Sequence, residues 1–123
     1  MDSSSIIRFI KDVFNKNNDM MLHLPKSINP QDFRQCVELL FIYAECMMRA
    51  RAVIILCESS LSRETDPQMK AQFAFHLESS KGYLQNLKQA YSRLRDSILS
   101  AYTDTSAEKV IFKVLNQAII DRL

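Results

Sequence analysis

Residues that turn a polypeptide sharply are scarce in this sequence. Its 123 residues include one glycine, three prolines and no tryptophan. A sheet of many short strands needs frequent turns, so the scarcity of glycine and proline favours a few long helices. The length fits one domain, which can bury a core without disulfides or metals. We therefore expect a single helical domain over residues 1–123, of the all-α class.

The sequence also lacks a surplus of charge of one sign and an uninterrupted apolar run. With 16 basic and 14 acidic residues the net charge is +2, which is too small to indicate a nucleic-acid-binding protein. The most apolar stretch, residues 37–61, contains five charged residues, which make insertion into a bilayer costly. No secretory signal is visible. We expect no membrane span and a location in the cytoplasm or the nucleus.

Cysteine and histidine are few, and they are not spaced as metal ligands. Cys36, Cys46 and Cys57 lie ten and eleven residues apart, nearly three helical turns each, which is too far for their sulfurs to share one ion. His23 and His76 have no cysteine or histidine three or four residues away. The pattern favours reduced, buried thiols, with an intermolecular disulfide as the alternative. We expect neither a metal nor another cofactor.

A catalytic site is not indicated either. Gly82 is the only glycine, so the sequence can build neither a nucleophile elbow nor a glycine-rich phosphate loop. Glu38 and Glu45 share a predicted helix face with Arg34 and Arg49, but a solvated stripe of ion pairs explains these four residues better. We therefore predict that the chain is not an enzyme.

Four amphipathic segments predict four helices. The first is expected over residues 4–15, before a polar break at residues 15–19. The second is expected to begin after Asn29, which is a good helix cap, and to extend to Leu61. Because that segment is apolar over most of its girth, we expect it to be the central, most buried helix.

The third and fourth helices have clear start signals. Asp66 caps and Pro67 opens the third, which is expected to end near Tyr102. Thr105 and Glu108 are spaced as a capping box for the fourth. The inward positions of the third helix alternate four and three residues apart, which is a heptad seam: Phe73, Leu77, Ser80, Leu84, Leu87, Tyr91, Leu94, Ile98 and Ala101. The fourth carries an apolar stripe of Val110, Ile111, Val114, Leu115, Ala118 and Ile119.

The unequal helix lengths predict where a partner binds. The two long helices, joined by a short loop, should form an antiparallel hairpin with two shorter flanking helices. Both short helices are expected beside the same end of the hairpin, so that the other end is a bare pair of helices. Two helices cannot hide all of the apolar side chains at that end, which are Val53, Ile54, Leu61, Met69, Phe73, Phe75 and Leu77.

We interpret this apolar end as a binding site for other protein chains, in an adaptor, scaffold or oligomerisation domain. The partner would be a second copy, giving a homodimer, or a helix of a different protein. A closed monomer is the alternative, if residues 15–26 fold back over this end or the third helix bends at Gly82.

A row of basic side chains supports a second hypothesis. Lys81, Lys88 and Arg95 recur every seven residues, so they lie on one side of the third helix. Such a row could bind nucleic acid or an acidic membrane surface. No aromatic platform for bases accompanies it, and a solvated helix face is the simpler explanation. We do not expect nucleic acid to be the partner.

Overall fold

A computed structural model describes all 123 residues, and it contains four α-helices and no β-strand. The prediction of an all-α chain with four helices is therefore confirmed. The helices are α1 (Ser3–Leu22), α2 (Phe33–Arg63), α3 (Pro67–Ser100) and α4 (Ala107–Asp121). α3 is continuous through the single glycine, Gly82.

Each helix begins at a side-chain cap, and the four caps are Asp2, Asp32, Asp66 and Ser106. The Asp66–Pro67 start of α3 agrees with the prediction. Two starts differ from it, because α2 is capped by Asp32 rather than Asn29, and α4 by Ser106 rather than Thr105. In both cases the true cap's side-chain oxygen accepts a hydrogen bond from the backbone N–H three residues later, which is what a cap requires.

The α2–α3 pair is the frame of the molecule. Only residues 64–66 join the two helices, and their mutual packing is the most extensive between any two elements. The two helices run antiparallel, since Phe33 at the start of α2 meets Tyr102 just after α3, with ring centroids 6.0 Å apart. Further along, the Tyr43 and Tyr91 centroids are 6.5 Å apart. All nine predicted inward positions of α3 are buried or half-buried, which confirms the heptad seam.

The first helix is longer than predicted and lies elsewhere. α1 continues through residues 15–19 to Leu22, because Asn17 turns inward and is only 1% exposed. The start of α1 lies at the hairpin tip, the end that contains residues 64–66, where the Ser3 hydroxyl donates a hydrogen bond to the Glu64 carboxylate. α1 therefore runs antiparallel to α2, from the tip towards the middle of the hairpin.

The predicted bare end of the hairpin is therefore wrong. Ile7 and Ile10 of α1 pack with Val53, Cys57 and Phe73 in a buried cluster at the tip. The error has two causes, which are the premature end assigned to α1 and the assumption that α1 must lie beside the start of α2. Residues 23–32 form a connector that is long enough to let α1 lie along the far half of the hairpin.

α4 covers the half of the hairpin that α1 leaves open. Phe112 and Ile119 are buried there in the larger core cluster with residues of α2 and α3. The face that α4 buries differs from the predicted stripe, because Phe112 was not part of that stripe. Val110, Ile111 and Val114, which were part of it, are exposed. Each half of the hairpin thus has a third helix of its own.

A buried polar contact joins α1 to the middle of α2. The Asn17 Nδ2 donates to the backbone carbonyl oxygen of Cys46 at 3.2 Å, and the Asn17 Oδ1 accepts from Arg49 Nη1 at 3.4 Å. Arg49 also forms an ion pair with Glu45. Because a buried amide must find hydrogen-bond partners, these contacts fix the register of α1 on α2.

Replacing Asn17 should therefore destabilise the fold. We expect Asn17→Ala to lower the free energy of unfolding by roughly 1–2 kcal/mol, because it removes two hydrogen bonds and leaves a buried cavity. The measurement is urea denaturation followed by circular dichroism. Asn18→Ala is the matched control, since Asn18 is exposed on the same helix and its replacement should change stability by less than about 0.5 kcal/mol. Equal effects of the two variants would contradict the proposed role of Asn17.

Two phenylalanines of α3 test whether α1 covers the hairpin tip. Phe73 is fully buried beneath α1, whereas Phe75 is 66% exposed. We expect Phe73→Ala to cost about 3–5 kcal/mol of stability, and Phe75→Ala to cost less than about 0.5 kcal/mol. Urea denaturation followed by circular dichroism measures both changes. A small loss for Phe73→Ala would mean that the tip is not packed as described.

Candidate functional site

The residues predicted as an interaction surface do not form one exposed patch. Val53 and Phe73 are buried beneath α1, so neither can contact a partner while α1 is in place. The half-buried members are Ile54, Leu61, Met69 and Leu77. Only Phe75 is well exposed. α1 thus occupies most of the surface that the sequence assigned to a partner.

Phe75 borders a shallow groove between α1 and α3. Its ring meets that of His76 edge-on, with centroids 5.4 Å apart, and Lys11 lines the groove opposite. Burial lowers the pKa of His76, and the charge of Lys11 lowers it further. The imidazole is therefore largely neutral at pH 7, and this groove offers the phenyl rings of Phe14 and Phe75 and one cation, Lys11.

The three basic residues of the predicted row on α3 are not equivalent. Lys88 and Arg95 line one cleft between α2, α3 and α4. Lys81 does not line it, and its Nζ lies 3.8 Å from Glu78. The structure therefore brings two of the three predicted electrostatic contacts to one place and leaves the third apart.

The cleft that contains Lys88 and Arg95 has a largely apolar floor. It measures about 340 Å³, and its other lining residues are Met47, Tyr91, Ser92, Ile120 and Leu123. The Tyr91 hydroxyl donates to the Asn116 Oδ1 at 2.6 Å, which ties α3 to α4. Burial raises the pKa of Tyr91 to about 12, so the hydroxyl keeps its proton at neutral pH and the two helices stay joined.

A row of large apolar side chains runs along the outside of α2. This outer row consists of Phe41, Met48 and Ile55, which are 51%, 48% and 57% exposed. Residues seven apart on a helix lie nearly on one line, so the three side chains share one face. The prediction of an almost fully buried α2 missed this row. The sequence does indicate this row, because its large apolar residues are spaced seven apart on the face that also carries Glu38 and Glu45.

A groove between α1 and α2 extends the outer row sideways. Ala52, which lies between Met48 and Ile55 on the same face, lines this groove, and Phe9 of α1 lines it opposite. The groove measures about 400 Å³ and has Asp12 and Lys16 on its α1 side. The groove adjoins the row at Ala52, and its lining combines four apolar residues with the charged Asp12, Lys16 and Arg49.

α4 carries a second exposed apolar face. Val110, Ile111 and Val114 point away from the core, and Val114 is 64% exposed. The opposite face of this helix holds the buried Phe112. α4 is thus apolar on two sides, of which one is covered by the chain itself.

The predicted ion-pair stripe of α2 and the three thiols lie as expected. Arg34 Nε lies 3.3 Å from the Glu38 Oε1, and Glu45 pairs with Arg49, as expected for a stripe of ion pairs. The three cysteines are buried and unpaired, as predicted. Histidine, cysteine, aspartate and glutamate side chains form no group of three or more that could hold a metal ion.

Comparisons with protein-family models, with curated proteins and with solved structures give no match for this chain. None of the four helices combines the length and the apolar character that crossing a bilayer requires. Inferences about function therefore rest on the surfaces described above, chiefly the outer row of α2 and the cleft that contains Lys88 and Arg95.

The thiols give a test of the described burial. Burial raises the pKa of all three cysteines, that of Cys57 to about 11, so at pH 8 they are almost entirely protonated. The thiolate is the reactive form. We expect Ellman's reagent to modify the folded chain at least about tenfold more slowly than the urea-unfolded chain, in which a cysteine has a pKa of about 8.5. A fast phase in the folded chain would reveal a thiol that is not buried.

Proposed function

We propose that this chain is a non-enzymatic protein–protein interaction domain, of the adaptor, scaffold or oligomerisation kind, and that it self-associates through the outer row of α2. One observation supports this above all, which is that Phe41, Met48 and Ile55 lie in one line and are each about half exposed. Single exposed apolar residues are ordinary, but several large apolar side chains grouped on one exposed face favour an interaction site.

The outer row has the symmetry that a homodimer needs. Met48 lies midway between Phe41 and Ile55. In an antiparallel pair of α2 helices centred on Met48, Phe41 of one copy is level with Ile55 of the other, and the two Met48 side chains meet on the two-fold axis. Such a contact uses the same surface twice. The seven-residue spacing is typical of helices that pack side by side, and the small side chain of Ala52 allows close approach.

The charges beside the row also favour this pairing. Glu45 and Arg49 lie on the side of the row that faces α1, and they pair within one chain. In the antiparallel dimer the Glu45–Arg49 pairs of the two copies come side by side, so that Glu45 of one copy approaches Arg49 of the other. Opposite charges placed this way select the antiparallel register over a parallel one. A helix of a different protein is the other occupant that this row would accept.

A second candidate function is electrostatic binding of nucleic acid or an acidic membrane surface through Lys81, Lys88 and Arg95. The observation in its favour is that Lys88 forms no ion pair and shares a cleft with Arg95. Lys81 and Arg95 each have an acidic neighbour within ion-pair distance, which weakens the row as a site for phosphates. We also propose a location in the cytoplasm or the nucleus, where three unpaired cysteines stay reduced.

Sedimentation equilibrium tests self-association. We expect the unaltered chain to form dimers within the range from about 1 µM to 1 mM, and Met48→Glu to remain monomeric, because it places two carboxylates against each other on the two-fold axis. Val114→Glu on α4 is the matched control, since Val114 is also well exposed, at 64% against 48% for Met48, but lies outside the row, and this variant should dimerise normally. Circular dichroism checks that both variants are folded.

Two results would contradict the proposed dimer. The first is a chain that stays monomeric over the whole concentration range. The second is dissociation by Val114→Glu with normal dimerisation of Met48→Glu, which would assign the contact to the outer face of α4 instead.

A further inference from the structure

The cleft between α2, α3 and α4 is a separate surface with its own chemistry. It is reached from a different side of α2, because Met47, which lines it, points about 100° away from Met48 of the outer row. The accessible apolar surface of its floor comes mainly from Ile120 and Leu123, which lie over the buried Met47 and Tyr91. Ligand-binding pockets are usually concave and mostly apolar, with a few charged or polar groups at defined positions, and this cleft has these features.

The charged side chains at this cleft are all of one sign. Lys88 and Arg95 line it, and no aspartate or glutamate does. Arg95 uses its Nε for Asp96, at 3.0 Å, which leaves the two terminal nitrogens of its guanidinium free to donate. Lys88 forms no ion pair. The cleft thus offers two cations to a partner that brings carboxylates.

We propose that this cleft binds an amphipathic helix of another protein, which carries two carboxylates about two turns apart and an apolar side chain between them. Lys88 and Arg95 are seven residues apart on α3, so their backbones lie about 10.5 Å apart along the helix axis. A helix that lies along α3, with acidic residues at positions i and i+7, presents its carboxylates at the same separation. Its residues at i+3 or i+4 then face the apolar floor.

The same spacing argues against other occupants of the cleft. A single small carboxylate can form a close ion pair with Lys88 or with Arg95, but it is too small to reach both side chains at once without drawing them together. Nucleic acid binds through many phosphate contacts, typically six to ten for a tight complex, and it would leave the apolar floor unused. An acidic helix uses both cations and the floor together, and its charges match the site.

The walls of the cleft are held in place before a partner arrives. Tyr91 is buried, and its hydroxyl bonds Asn116 of α4, while its ring lies against Tyr43 of α2. One side chain therefore touches all three helices that form the cleft. A preformed site lowers the ordering cost of binding.

Fluorescence polarisation with a designed peptide tests this site. The probe is a fluorescein-labelled, alanine-rich helical peptide of about 20 residues, with two glutamates seven positions apart and two leucines between them. It is titrated with the Met48→Glu variant, which removes self-association, so the result does not depend on the proposed dimer. We expect a Kd in the micromolar range (about 10–100 µM), and the same Kd with the unaltered chain.

Two charge reversals on α3 locate the binding site. Lys88→Glu should weaken binding at least about tenfold, because it turns an attraction inside the cleft into a repulsion. Lys81→Glu is the matched control, since Lys81 lies one heptad away on the same row but outside the cleft, and it should weaken binding by less than about twofold. A peptide with the glutamates kept and both leucines replaced by serine should bind at least about tenfold more weakly.

Three outcomes would overturn the proposal. No binding of the peptide up to about 1 mM would show that the cleft does not accept such a helix. Equal weakening by Lys81→Glu and Lys88→Glu would show a diffuse electrostatic row instead of a cleft. Undiminished binding of the serine peptide would show that the apolar floor takes no part.

Discussion

The buried amide of Asn17 is the contact on which the arrangement of the helices depends. It joins α1 to α2 through the Cys46 carbonyl and the Arg49 guanidinium, at a level between the two core clusters. An unpaired amide in this place would be costly, so the register that satisfies it is strongly preferred over its neighbours. With that register set, Ile7 and Ile10 fall over the hairpin tip and close it. The coverage of one half of the molecule thus follows from one polar side chain.

Closing the tip decides which apolar residues remain for partners. Val53 and Phe73 become core residues, and the exposed apolar residues are left on the outer row of α2 and the outer face of α4. α4 itself lies over the other half, where Phe112 fills the core and the basic cleft forms at the junction of three helices. The chain therefore has no bare end, and the binding surfaces that we propose lie along its sides.

Local signals in the sequence predicted the long helices well, since Asp66 and Pro67 start α3 as expected and its heptad seam faces inward. Asn17 was misread because asparagine usually ends a helix, and the tertiary hydrogen bond that keeps it inside one is not visible in a sequence. α4 was misread because it has two apolar sides, and periodicity alone does not say which one is buried. The spacing of Lys88 and Arg95 predicted a shared side, but their cleft needs residues from two other helices.

The buried residues are divided very unevenly between the two halves, with twelve in the cluster under α4 and five in the cluster under α1. Regions with few buried contacts open first in native-state fluctuations. Of the twelve, only Phe112 and Ile119 belong to α4, and α1 buries only Ile7, Ile10 and Asn17, so amide protection should be highest in α2 and α3 and lower in the two short helices. Transient detachment of α1 would uncover Val53 and Phe73 for as long as it lasts, and the tip would then be an open pair of helices.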